Sequence, residues 1–226
     1  MSERDFRIPW VRRVWWHLLA AFCRIWFVTC YGYRYAGDRK IPRDRPVLVV
    51  SNHQSFFDPI IIGLLLGRPF WAMARTTLFD PPGFGWLIRS LNALGVRRGV
   101  GDRSALRDAG KILKAGETLL VFPEGTRSRD GTTGTFARGV ALMWRQADCV
   151  VVPVGIAGAF DVWPRSRAWP RLTGTIAAQA GEPIPVSELT DSEGDEERPP
   201  HERLQRRVEA LRLQARRRLD GDDHGH

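Results

Sequence analysis

The sequence predicts an α/β fold: a largely parallel mixed sheet flanked by helices, with an N-terminal amphipathic helix at a membrane interface. Three observations carry this. Short apolar, β-branched runs at Val47-Leu48-Val49-Val50, Thr118 to Phe122 and Cys149 to Val154 suit strands buried on both faces. Segments with helical spacing alternate with them, the pattern of strand–helix–strand units. Two of the runs stop abruptly at polar clusters, Asn52 to Asp58 and Pro123 to Ser128, and ligands of open α/β sheets bind beyond such carboxyl ends.

Taken in order, Pro9 to Thr29 reads as a helix. Arg13, His17, Ala20 and Arg24 form one narrow stripe, and Trp, Val, Leu, Phe and Ile fill the remainder. No uninterrupted apolar stretch approaches the ~20 residues of a bilayer span, and no small-residue cleavage site follows a short apolar core. A basic stripe on a broad aromatic face suits a helix lying in the membrane interface; packing on the domain core is the alternative. Tyr31 to Ala36 alternates as a strand, and Gly37-Asp38 turns the chain. After the strand at 47–50, Asp58-Pro59 gives an N-cap followed by proline at the first helical position, opening a helix through Leu66. Phe70 to Ala74 reads as a strand and Phe84 to Ala93 as a helix after Pro81-Pro82-Gly83. Another helix opens at Asp102-Arg103-Ser104 and closes at Gly116. The strand 118–122, a helix from Arg138 to Ala147, the strand 149–154 and a late strand from Gly174 to Ala180 complete the domain. Asp191 to Glu197 is an acidic linker. Beyond it, Leu204, Val208, Leu211 and Ala215 mark a last helix that docks on the domain, touches lipid headgroups or stays solvated. The expected divisions are thus 1–30, 31–190 and 191–226.

At 226 residues the chain is long enough for one domain with a proper core. Thirty-four Lys and Arg against 25 Asp and Glu leave a net charge of +9, which favours anionic partners. Nine Trp, several beside Arg near the N-terminus, suit a membrane interface. Cys23, Cys30 and Cys149 form no Cys-x-x-Cys pair and leave an odd count. They are read as small apolar residues, with no disulfide framework and no metal site. Gly83-Phe84-Gly85 and Gly99-Val100-Gly101 lack the third glycine of a dinucleotide fingerprint, and no Gly-Lys-Ser/Thr is present.

The chemistry gathers at two strand ends. His53 lies in the turn between a strand and a helix, five residues before Asp58, whose carboxylate can orient the ring as a general base requires. The alternative is a space-filling His beside an Asp occupied with capping. If the strands at 47–50 and 118–122 are parallel neighbours, His53 and Asp58 face Glu124 and Arg127 across one crevice. There Arg127 could hold a phosphate bidentately and Gly125 would let the backbone approach a ligand. Alternatively Glu124 and Arg127 pair with each other.

With these residues the chain resembles the PlsC-type glycerophospholipid acyltransferases, over about Tyr31 to Pro185. Their first block, Asn-His-x4-Asp, stands as Asn52, His53 and Asp58. The third, Phe-Pro-Glu-Gly-Thr-Arg-Ser, is complete from Phe122 to Ser128, and a Val-Pro-Val strand stands at Val152-Pro153-Val154. The second block departs: Leu94-Gly95-Val96-Arg97-Arg98 offers Arg98, with Arg97 where the family often has Asp. After the third block, Phe136-Ala137-Arg138-Gly139 lacks the usual Lys.

The resemblance implies acyl transfer from acyl-CoA or an acyl carrier protein to the sn-2 hydroxyl of lysophosphatidic acid. His53 would be the base and Asp58 its support, while Arg98, Glu124, Gly125, Thr126 and Arg127 would bind the acceptor. No cofactor is expected beyond the acyl thioester as co-substrate. The partners would be membrane lipids, the lysophospholipid and the donor, with no nucleic acid, at the cytoplasmic face and without a full transmembrane span. Transfer to another lysophospholipid or lipid acceptor is the alternative within this class, and two rivals stand outside it. A thioesterase would use water in place of the hydroxyl, although no Gly-x-Ser-x-Gly elbow is present. A non-catalytic protein held to anionic lipid by charge leaves the two motif blocks unexplained.

Overall fold

A computed structural model describes residues 6–96, 103–190 and 198–221. In chain order the elements are α1 (Trp10–Tyr31), β1 (Arg34–Ala36), β2 (Val47–Ser51), α2 (Asp58–Leu66), β3 (Trp71–Arg75), α3 (Pro82–Ser90), β4 (Ala93–Val96) and α4 (Arg103–Lys114). Then follow β5 (Thr118–Val121), α5 (Gly139–Trp144), β6 (Val150–Ala157), α6 (Ala159–Val162), β7 (Ala177–Ala180), β8 (Ile184–Pro185), α7 (Val186–Thr190) and α8 (Pro200–Asp220).

The strands form one mixed sheet in the order β1-β7-β6-β2-β5-β3-β4, with β8 also pairing β6. From β6 to β4 all neighbours are parallel; β7 and β8 run antiparallel to β6. This is the largely parallel mixed sheet the apolar runs imply. Alternation places Val47 and Val49 of β2 in one core layer with α1 and α2. Leu48 and Val50 point to the other layer, with α4, α5 and α8. Pro153 has no N–H to donate, and it falls between the β6 residues that pair with β8 and those that pair with β7.

Several boundaries differ from the sequence expectation, and one open alternative is decided. The helix read to Ala93 stops at Ser90, because Asn92 takes a left-handed conformation (φ 62°) and turns the chain into β4. α1 runs on to Tyr31, and β1 begins only after Gly32 has capped it. The last helix docks: His201, Leu204, Val208, Leu211 and Ala215 of α8 are buried, and its backbone lies directly on Gly155 of β6.

α1 corrects the reading of its two faces. Its Arg residues lie along the edge that meets the domain. Arg13 donates to Glu117 (2.7 Å) and to the Ile8 carbonyl, while Arg24 donates to Tyr35 Oη and the Leu64 carbonyl. The opposite face, with Val11, Val14, Leu18, Phe22 and Ile25, is apolar and exposed. The helix has 22 residues and a mean hydropathy of 1.2 in its apolar window, enough by length and composition to cross a membrane. No stretch of bilayer length within it is uninterrupted by charge, and of the side chains that interrupt it Arg13 and Arg24 fold back onto the domain.

Candidate active site

β2 and β5 are direct parallel neighbours, with Val50 opposite Val121, so their carboxyl ends open on one edge. The chain leaves β2 towards β3 on one side and leaves β5 towards β6 on the other. The crevice between them is therefore a topological switch point, where ligands of α/β sheets bind.

The turn after β2 is built to hold His53. The amide side chain of Asn52 pairs with both the N–H and the carbonyl of Ile156 (2.8 and 3.0 Å), tying the end of β2 to β6. The backbone of His53 is gripped by the β5 loop at both ends. Its N–H donates to Glu124 Oε1 (2.9 Å), and its carbonyl accepts from Ser128 N–H (2.7 Å). The ring stacks on Phe122 with centroids 4.1 Å apart.

Asp58 is fully buried at the first position of α2. Its Oδ2 receives His53 Nδ1 at 2.7 Å and the N–H groups of Gln54 and Ser55 at 2.6 and 2.7 Å. The carboxylate thus turns back onto the turn that carries His53 and does not cap α2, the capping role that the sequence had implied. A hydrogen bond to a charged group of this kind contributes about 1.5–3 kcal/mol. The α2 N-terminus also favours the negative charge. A carboxylate can only accept, so Nδ1 carries the proton that it shares with Asp58, and in the neutral ring Nε2 is the nitrogen with the lone pair.

The crevice has a volume of about 540 Å³ and is lined by His53, Gly125, Thr126 and Arg127. Gly125 sits at φ 64°, which a side-chain-bearing residue rarely adopts, so the loop can bend around the site. Arg127 lies over the Phe56 ring at 3.6 Å, and its buried Nη1 has no hydrogen-bond partner. Burial, and then Arg165, lower its pKa from the usual guanidinium value. A cation so placed suits an anionic group.

Glu124 is placed differently from its loop neighbours. Its carboxylate points into the fold, to His53 N–H and the Gly134 backbone, and does not line the crevice. In this structure its contacts are therefore with the backbone of the turn that carries His53, not with the crevice. Burial is the main reason its pKa is pushed up to about 7, against the two backbone N–H bonds, with Asp58 and Glu209 adding to the rise. Between its ordinary value of 4.5 and about 7 the folded chain keeps a proton here that the unfolded chain loses. This group's contribution to stability therefore falls as pH rises through that window. In Glu124→Gln the amide oxygen still accepts from His53, and thermal unfolding should change less between about pH 5 and about pH 8 than in the parent. An unaltered pH dependence would show that Glu124 does not titrate there.

Arg98 and Arg97 lie outside the described residues. Two other arginines, Arg75 and Arg165, line the crevice and were not anticipated. Arg75 had a signal: it is the first polar residue after the apolar part of β3, whose carboxyl end shares this edge through β5. Arg165 had none, because it lies in irregular chain far from either motif. Beside the crevice, and sharing Phe56, Pro59 and Met73 with it, is an apolar cavity of about 230 Å³ that extends between α1, α2 and α3 to Trp16, Gly63 and Phe70. Among the described residues no cluster of three or more His, Cys, Asp or Glu could hold a metal ion.

The profile of the Acyltransferase family matches residues 32–157, more than half of the chain, from the end of α1 to the end of β6. The chain belongs to the acyltransferase family. The match spans His53, Asp58 and the whole loop from Phe122 to Ser128. The chain is 33% identical to a chloroplastic 1-acyl-sn-glycerol-3-phosphate acyltransferase of Arabidopsis thaliana, over 68% of this chain and 44% of that one. It is 32% identical to a lyso-ornithine lipid O-acyltransferase of Pseudomonas aeruginosa, over 68% of this chain and 56% of that one. The chain thus spans about half the length of these relatives. The crystal structure of the 1-acyl-sn-glycerophosphate (LPA) acyltransferase PlsC of Thermotoga maritima superimposes with a TM-score of 0.74 at 29% identity, covering 90% of this chain and 79% of that one.

Proposed function

We propose that this acyltransferase moves a fatty acyl group from acyl-CoA or an acyl carrier protein to the sn-2 hydroxyl of lysophosphatidic acid, giving phosphatidic acid. The observation that carries the proposal is the site's arrangement. His53 offers a free Nε2 in a crevice that holds unpaired Arg127 on one side and meets an apolar cavity on the other. A lysophosphatidic acid has that polarity, an anionic phosphate and an acyl chain flanking one nucleophilic hydroxyl.

In this mechanism Nε2 takes the hydroxyl proton as the oxygen attacks the thioester carbonyl. Asp58 stabilises the imidazolium that forms. The tetrahedral adduct collapses by expelling the thiolate, which receives the proton from His53, and no acyl-enzyme is required. Arg127, with Arg75 and Arg165 on the same rim, would neutralise the phosphate. The apolar cavity would take an acyl chain away from water. The outward apolar face of α1 would rest in the cytoplasmic side of the membrane, where the acceptor lives.

The test is thiol release from acyl-CoA and from acyl carrier protein, with and without lysophosphatidic acid, on vesicles. The expected result is release that requires the acceptor, with phosphatidic acid appearing in step. Acceptor-independent release would make the chain a thioesterase. The lyso-ornithine lipid relative makes that lipid the second acceptor to try, and transfer to it alone would replace lysophosphatidic acid in the reading.

A further inference from the structure

We propose that the loop 163–172 is a second membrane contact, which seats Trp169 and Leu172 among anionic lipid headgroups at the mouth of the crevice. The inference rests on the reading that the enzyme works at a membrane, and it adds a surface distant in sequence from α1.

The loop is compact and its ends are close, the form of an Ω-loop. Arg171 N–H donates to the Val162 carbonyl (2.9 Å), and Arg167 N–H donates to Pro164 (3.2 Å). Trp163 Nε1 donates to the Arg167 carbonyl (3.1 Å), while the Trp163 ring packs on Phe56 and Phe57. Tyr31, the last residue of α1, donates its hydroxyl to the Arg171 carbonyl (2.9 Å), so the loop continues from the end of the helix whose outer face is apolar.

What this frame presents is unusual for a surface turned to water. Trp169 is 79% exposed and Leu172 86%, each more than any exposed apolar side chain of α1. Scattered apolar residues on a surface need no explanation, but here they are interleaved with Arg165, Arg167 and Arg171. From Val162 to Gly181 the sequence contains no Asp or Glu, and the preceding Asp161 is paired with Arg216 of α8. Trp and Leu among uncompensated arginines match a headgroup layer, where rings sit at the polar–apolar boundary and guanidiniums meet phosphates. Each basic residue near an anionic surface raises partitioning about fivefold. Arg165 belongs to both surfaces, because it also lines the crevice near Arg127. A lysolipid leaving the bilayer would meet one guanidinium and then the other on its way to His53.

The experiment uses the full chain with Trp169→Cys carrying an environment-sensitive fluorophore. Cys30→Ser removes the one native thiol that is not buried. Vesicles are phosphatidylcholine alone or equal parts phosphatidylcholine and phosphatidylglycerol. On the mixed vesicles the probe should shift to the blue and brighten several-fold, with much less change on phosphatidylcholine. In the otherwise native chain, Trp169→Ser with Leu172→Ser should lower flotation with mixed vesicles about tenfold and leave thermal unfolding unchanged. A chain that floats while its probe stays unshifted would overturn the loop contact and leave α1 as the membrane face. A chain that does not float would remove the membrane reading and this inference together. A probe that responds to an acidic acyl carrier protein and not to lipid would also overturn it, and would make the loop a donor-docking surface.

Discussion

Replacing His53 with Ala is expected to reduce acyl transfer by about 10²–10⁴-fold, the contribution of a well-placed general base. Among the described residues that line the crevice, no other is tied to Asp58 as this ring is. The fold should persist. The grip on this turn runs through the backbone N–H and carbonyl of residue 53 and through Asn52, all of which an alanine keeps. The buried Asp58 keeps two of its three hydrogen bonds, those from Gln54 and Ser55. Steady-state rates on vesicles, read beside far-ultraviolet circular dichroism, test both halves. A variant that is folded and fully active would remove His53 from the mechanism; one that is unfolded would make the turn structural.

The largest effect on stability is expected at Gly155, far from the chemistry. A Cβ at this position would lie 2.1 Å from the backbone nitrogen of Arg212 and 2.3 Å from the carbonyl carbon of Leu211, neither of which can rotate aside. Gly155→Val must therefore lift α8 off β6. Overpacking typically costs about 1–3 kcal/mol, and a clash with backbone belongs at the upper end of that range; at this chain length each kcal/mol lowers Tm by about 2–4 °C. Activity should fall as well. Glu209 of α8 accepts from Thr133 Oγ1, and Gln205 accepts from the Phe136 N–H, so α8 braces the segment behind the loop that carries Arg127. Thermal unfolding measures the first effect and transfer assays the second. An unchanged Tm would mean that α8 can shift without loss.

The two motif blocks were legible because each is local. A β-branched run, an abrupt polar end and a following helix start are all fixed by residues within a few positions of one another. So the place of His53, Asp58, Gly125, Thr126 and Arg127 at strand ends could be read directly, whereas the adjacency of β2 and β5, a condition in the sequence reading, was supplied by the sheet. Glu124 shows where that stops. Its type and position suggested a ligand contact, but which way a carboxylate points depends on which backbone N–H groups lie near it, here those of His53 and Gly134.

By itself, then, the sequence determined the fold class, its main apolar strands, the family and the placing of His53 and Asp58 in one turn, because hydrophobic period and short motifs are written in neighbouring residues. Only the tertiary structure decided the rest. It turned Arg13 and Arg24 of α1 inward through partners that lie between 11 and 104 residues away. It brought Arg75 and Arg165 to the rim beside Arg127, and laid α8 on Gly155. Each of these depends on contacts between segments distant in the chain. Such contacts are chosen by how whole faces pack against one another, and no local spacing encodes that choice.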